Sequence, residues 1–227
     1  MGYTRAETLQ RLEKSSSDMS LFYKQGFINY RGETTDTKEY YTEVISEWLL
    51  EHLYLLKQIP TITRSASYAV EGHNGIPEHA ESNREEELIA MAMYRQGVLP
   101  LVGKVIDYQT PLKNKRTDKA GKIDLLAYDG QTLRILELKE PDSNETMLRC
   151  VLEGYTYLKT VSTAKLLADF GLPPDTPVKA CPFVFRGGAQ REEMQQLRPK
   201  LNLLMDTLDS KPYYIIEKND IFQITEE

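Results

Sequence analysis

Lys122-Ile123-Asp124-Leu125-Leu126-Ala127-Tyr128 is followed, after a turn at Asp129-Gly130, by Leu133-Arg134-Ile135-Leu136-Glu137-Leu138-Lys139. Both segments read as β-strands, because apolar runs of strand length flank a turn dipeptide. Three charged residues sit inside them: Asp124, Glu137 and Lys139. Residues i and i+2 of a strand share a face, so Glu137 and Lys139 point the same way. In a tight hairpin the start of the first strand lies beside the end of the second, which brings Asp124 next to Lys139. Charges inside apolar strands are costly unless they are paired or bind a metal. Two carboxylates and a lysine at a strand edge are what a divalent cation needs in order to bind and to activate a water.

Working outward from this pair, Leu99 to Gln109 reads as a preceding strand, broken or bulged near Gly103, and 112–121 as a polar basic loop. Before them a helix is expected from about Asn83 to Gln96, capped by Ser82 or Asn83, with glutamates in its first turn and Gly97 at its end. After Lys139 a helix is expected to start at Asp142, with Asp142 and Glu145 spaced as a capping box, and to run to about Thr160. A shorter helix, Ser162 to Phe170, stops at Gly171. Val178 to Phe185 reads as a buried strand. Residues 190–209 read as helix interrupted at Pro199, and Tyr213 to Glu217 and Ile221 to Ile224 as closing strands. Towards the N-terminus, 4–25 reads as a polar helix, Thr37 to Lys57 as a stronger one, and Ser65 to His79 as loop. The expected whole is a single domain over 1–227. It comprises a helical N-terminal elaboration (1–80), a core (83–186) and a C-terminal helix with strands (187–227).

The 227 residues are 41% hydrophobic, enough for a real core, and the net charge is −6. Such acidity argues against a protein that coats nucleic acid generally, though not against an enzyme that meets DNA through one local basic patch. Cys150 and Cys181 belong to no metal-spaced cluster and read as reduced core thiols. No run approaches the ~18 apolar residues of a membrane span. The polar first twenty residues do not read as a signal peptide, so a cytoplasmic protein is expected.

The order helix, three strands, helix, strand, with Asp124, Glu137 and Lys139 so placed, resembles the PD-(D/E)XK nuclease superfamily, which has the restriction-endonuclease-like fold. The resemblance rests on Gly121-Lys122-Ile123-Asp124-Leu125-Leu126-Ala127 followed by Ile135-Leu136-Glu137-Leu138-Lys139, and it covers residues 83–186. It implies an α/β protein with a central mixed sheet flanked by helices, and a Mg²⁺- or Mn²⁺-dependent phosphodiesterase acting on DNA. By that resemblance Asp124, Glu137 and the carbonyl of Leu138 bind the metal. Lys139 orients or helps deprotonate the attacking water and offsets transition-state charge. Relatives often add a glutamate from the preceding helix. The candidates are Glu85, Glu86 and Glu87, and placing Ile89 and Met93 in the core favours Glu86, with Glu87 close behind. The plainer explanation of these three is a first helical turn favoured by the dipole.

Two departures stand out. Ile123 replaces the proline of the family's name. Where many relatives carry a glutamine and a tyrosine in the following helix, Met147 to Lys159 offers Arg149, Glu153, Tyr155 and Tyr157. Arg149 either contacts a phosphate or pairs with Glu153 at i, i+4. For nucleic acid, Lys113, Lys115, Arg116, Lys119 and Lys122 form a basic cluster opposed only by Asp118, which would draw a phosphate backbone unless it is simply a solvated loop. His52, His73 and His79 form no metal-spaced motif.

A structural explanation of the trio, with Glu137 and Lys139 pairing on an edge strand, conflicts with the apolar surroundings of a central strand. A second class of reading keeps the fold as a catalytically degenerate module that binds nucleic acid or protein. Net acidity and the missing glutamine favour it, and the intact trio disfavours it. RNA is a weaker substrate alternative that the trio leaves open. No membrane partner is expected. The fold family includes many dimers, but no surface in the sequence reveals a homodimer.

Overall fold

The computed structural model describes residues 2–76, 85–115, 117–118 and 120–227. Helix α1 (Arg5–Ser15) opens on a capping box between Thr4 and Glu7. It ends ten residues before the expected Gln25. Ser15, Ser16 and Ser17 favour caps and turns over helix interior, and Asp18 caps a separate 3₁₀ turn, Met19–Lys24, followed by a second, Gly26–Asn29. Helix α2 (Tyr41–Glu51) starts four residues after the expected Thr37. The chain before it is tied into a small loop, with an antiparallel bridge Glu33–Tyr40 and Lys38 at φ 58°. A single turn, α3 (Leu53–Leu56), follows.

From here the expected order holds. Helix α4 (Glu85–Gln96) ends at Gly97, whose φ of 85° takes the left-handed turn out of the helix. The expected caps Ser82 and Asn83 lie outside the described residues. Strands β1 (Val98–Leu99) and β2 (Gly103–Pro111) are the two parts of the broken strand. Gly103 has φ 96°, and any Cβ there would sit 2.3 Å from the Tyr128 carbonyl oxygen, so the chain turns where only glycine fits. The ladder also bulges between Val105 and Asp107. Strands β3 (Lys122–Tyr128) and β4 (Leu133–Leu138) then form the hairpin.

Helix α5 (Met147–Thr160) begins later than Asp142. Its cap is Thr146, whose hydroxyl accepts the Arg149 N–H, so no capping box forms between Asp142 and Glu145. Tertiary partners decide the start: Thr146 Oγ1 donates to the Ile28 carbonyl, Asn29 accepts the Thr146 N–H, and buried Glu193 accepts the Met147 N–H. Helix α6 (Thr163–Asp169) and strand β5 (Val178–Phe185) complete the crossover. Helices α7 (Ala189–Met194) and α8 (Pro199–Thr207) are separate pieces, with proline opening the second. Strands β6 (Tyr213–Lys218) and β7 (Ile221–Thr225) close the chain.

The seven strands of the described residues form one mixed sheet in sequence order. Pairings are antiparallel from β1 to β4 and between β6 and β7, and parallel for β4–β5 and β5–β6. Strand β4 is therefore internal. One face of the hairpin, with Leu126, Leu133 and Ile135, packs into a core shared with α5 and the N-terminal helices. The other, with Leu125, Ala127, Leu136 and Leu138, packs with α4, β6 and β7. Among the described residues no helix is long and apolar enough to cross a membrane.

Candidate active site

Leu125 pairs with Leu136, so one further step of the β3–β4 register sets Asp124 opposite Glu137. By alternation both share the face of Leu126 and Ile135, the α5 face. The ladder loosens there: the Leu138 N–H donates not to a backbone carbonyl of β3 but to Asp124 Oδ2, at 3.0 Å. Asp124 Oδ1 accepts from Gln109 Nε2 at 3.1 Å. The Lys139 N–H continues the parallel ladder to the Phe183 carbonyl at 3.1 Å. Its side chain lies on the Glu137 side, with Nζ 2.8 Å from Glu137 Oε1. The pairing of Glu137 with Lys139 thus exists, but on an internal strand, so an edge position does not account for it.

Four carboxylates surround the Lys139 ammonium. Besides Glu137, it lies 3.2 Å from Glu145 Oε2, 3.3 Å from Glu153 Oε2 and 3.9 Å from Glu86 Oε1. Glu86 of α4 comes within ion-pair distance of Lys139, while Glu85 and Glu87 line the same cleft; Met93 is buried in the core and Ile89 partly so. Glu153 is fixed at both oxygens: Oε1 accepts from Tyr157 at 2.8 Å, and Oε2 faces Arg149 Nε at 3.4 Å. The close approach of Tyr157 depends on Gly121, where any Cβ would stand 2.3 Å from the Tyr157 hydroxyl oxygen.

Burial sets the protonation states. It pushes Asp124 up to about 7, with Glu86 and Glu153 adding to the rise against Lys139. Burial, and then Glu153, hold Glu137 well above the usual carboxylate range. Burial works against Glu153 too, but Lys139, Arg149 and Tyr157 outweigh it, and Glu153 lies below that range. Burial raises the half-buried Glu86. For Lys139 burial favours the neutral amine, yet Glu137 and Glu153 together hold it well above the usual lysine value. Burial and the neighbouring carboxylates thus push Glu137 and Glu153 in opposite directions, while the lysine is held towards its charged form.

These residues line a cleft of about 910 Å³. Among the described residues, nine carboxylate side chains line it against three cationic ones, Lys122, Lys139 and Arg149. Of the described members of the expected basic cluster, Lys122 lines the cleft. Lys113 and Lys115 are exposed and outside its lining, and Arg116 and Lys119 lie outside the described residues. Arg149 forms the i, i+4 pair with Glu153 and also donates to the Tyr23 carbonyl at 2.6 Å. His73 lies against Asp107 at 2.6 Å and outside the cleft lining, His52 stacks on Trp48, and His79 is outside the described residues.

Sequence reasoning missed Gln109 and the part Glu145 plays. Gln109 lies between the Tyr108–Leu125 and Thr110–Ile123 pairs of the β2–β3 ladder, and its φ of 49° is unusual for a non-glycine residue. A polar residue in the strand beside Asp124 was the available signal. Glu145, expected as half of a capping box, instead approaches the Lys139 ammonium at 3.2 Å. Tyr23 and Asn29, from the N-terminal turns, reach the site through contacts that no local pattern encodes.

Among the described residues no set of three or more His, Cys, Asp or Glu side chains is arranged as a ready cation cage. The centre of the acidic group is taken by the Lys139 ammonium. The chemistry of the donors nevertheless suits a hard divalent cation, since they are carboxylate oxygens. Glu137 Oε2 is buried with no hydrogen-bond partner, an atom that a cation would satisfy. Compared with protein-family models, curated proteins and solved structures, the chain shows no match.

Proposed function

We propose that the chain is a Mg²⁺- or Mn²⁺-dependent phosphodiesterase that hydrolyses DNA, with a restriction-endonuclease-like core. The observation that carries this reading is Asp124 opposite Glu137 on internal strands, with Lys139 on the same face, at a cleft with room for a phosphodiester. Asp124, Glu137, the Leu138 carbonyl and Glu86 would hold the metal. A divalent cation bound there lowers the pKa of a water and offsets charge on the phosphoryl oxygens. Asp124 is aimed by Gln109 and the Leu138 N–H. Lys139, kept as an ammonium by its carboxylate neighbours, donates to the reacting group and balances developing negative charge rather than acting as a base. Lys122 at the cleft supplies a phosphate contact.

The excess of carboxylates in the cleft favours a second reading, a binding module without chemistry, because a phosphate backbone approaches nine carboxylates only when cations intervene. Cleavage decides between them. With Mg²⁺ or Mn²⁺, single-stranded, duplex or branched DNA should be cut to 5′-phosphate ends, a chelator should stop the reaction, and Asp124→Ala should be inactive while folded. Silence on every substrate would favour the binding module, and full activity in Asp124→Ala would remove the assignment.

A further inference from the structure

Lys139 stands where a small cation would stand. Its ammonium lies within hydrogen-bonding or ion-pair distance of Glu137, Glu145, Glu153 and Glu86, and only 6% of its side chain is exposed. Three N–H donors cannot serve four carboxylates fully, and Glu137 is left half used. Oε1 takes the ammonium at 2.8 Å, while Oε2 is buried without a partner. A divalent ion that binds Glu137 therefore meets a positive charge already seated on the same carboxylate. At such separations in a buried site the repulsion between the two is large. Either the ammonium yields Glu137 or the ion does not bind.

The surroundings show where the ammonium can go. Glu153 is anchored by the Tyr157 hydroxyl and by Arg149, which is itself held by the Tyr23 carbonyl and lies over the Tyr23 ring at 5.0 Å. It is thus a stationary negative charge, already 3.3 Å from Lys139 Nζ. A glutamine there would offer an acceptor oxygen but no net charge.

We propose that Lys139 is a built-in counter-cation that a divalent ion must displace from Glu137, and that Glu153 retains the displaced ammonium. This rests on the metal-dependent reading of the site, and it gives a role to the glutamate that stands where the resembled family's helix carries glutamine. It makes Lys139 a regulator of metal affinity, and Glu153 a positioning residue for Lys139 rather than a metal ligand.

Calorimetric titration of Mn²⁺ into the wild type, Lys139→Met, Glu153→Gln and the double variant tests it, with each protein first shown to be folded by its circular dichroism and melting curve. Lys139→Met should bind Mn²⁺ at least about tenfold more tightly than wild type. Glu153→Gln should bind about tenfold more weakly, and that loss should vanish in the Lys139→Met background. Affinity in Lys139→Met equal to or below that of wild type overturns the competition. A loss from Glu153→Gln that persists without Lys139 makes Glu153 a ligand and overturns its assigned role. A measurement on the wild type needs no variant to fold: the ¹⁵N resonance of the Lys139 ammonium should shift on titration with Mg²⁺, and an unmoved resonance overturns the displacement. Failure of the wild type to bind Mn²⁺ overturns both this proposal and the metal-dependent reading. Binding with the expected pattern, but no DNA cleavage, upholds the proposal and removes the nuclease reading alone.

Discussion

Asp124 is held in an environment hostile to its charge, with 9% of its surface exposed and two hydrogen-bond donors, Gln109 Nε2 and the Leu138 N–H. A buried carboxylate without a dedicated partner costs stability that a neutral isostere does not. Asp124→Asn should therefore abolish cleavage and at the same time raise the Tm of the cation-free protein at pH 8, by roughly 2–8 °C if the gain is about 1–2 kcal/mol. Calorimetric melts in chelator check this, and an unchanged or lower Tm would show that Asp124 is already compensated in the folded state. Gln109 adds a second cost, since its left-handed backbone is sparsely populated by residues with a Cβ. Strain retained beside a carboxylate is consistent with selection for the aim of Asp124 rather than for stability. Gln109→Ala keeps the Cβ and removes the amide, and should lower kcat about tenfold with little change in KM for DNA, as expected when a group that orients a metal ligand is lost.

At the scale of elements, α5 carries Arg149, Glu153 and Tyr157, and its start is fixed from outside. The Thr146 hydroxyl accepts from the Arg149 N–H and donates to the Ile28 carbonyl. Thr146→Ala removes a helix cap and orphans a buried carbonyl, so chemical denaturation should show a loss of about 2–3 kcal/mol. A loss under about 0.5 kcal/mol would mean that Asn29 and Glu193 suffice. Helix α6 offers a pH test. Asp169 accepts the Tyr68 N–H and pairs with Lys165, both at under 3 Å. These outweigh burial and hold its carboxyl below the usual range. A depressed carboxylate contributes stability above its unfolded pKa of about 3.9 and loses it as pH falls through the folded value. Asp169→Asn should thus lower Tm at pH 7, and the gap should close as pH falls through the folded value. The strands and helices from Glu85 onward were legible because their periods, glycines and prolines are local signals. The cap at Thr146 was not, because its acceptor lies more than a hundred residues away. The serine run after α1 was legible in principle, since Ser15 to Ser17 followed by Asp18 is capping chemistry rather than helix interior.

At the scale of the molecule, the proposed DNA cleavage has to contend with a net charge of −6 and a cleft rich in carboxylates, so on that reading DNA arrives with cations. Anisotropy with labelled DNA should detect no binding in chelator and clear binding with Ca²⁺. The monovalent-salt slope should be shallow, because few lysines or arginines among the described residues face the cleft, and tight binding in chelator would move the interface elsewhere on the surface. The trio itself was legible because charges inside apolar strands stand out. The N-terminal share of the site, through Tyr23 and Asn29, was not, because packing between distant segments leaves no local pattern. The most direct test of the account compares wild type with Lys139→Ala, prepared identically and both folded, on single-stranded, duplex and branched DNA in Mn²⁺. Cleavage by the wild type and a loss of at least about a thousandfold in the variant is the predicted result. Equal rates in the two proteins would contradict the placement of the chemistry at Asp124, Glu137 and Lys139.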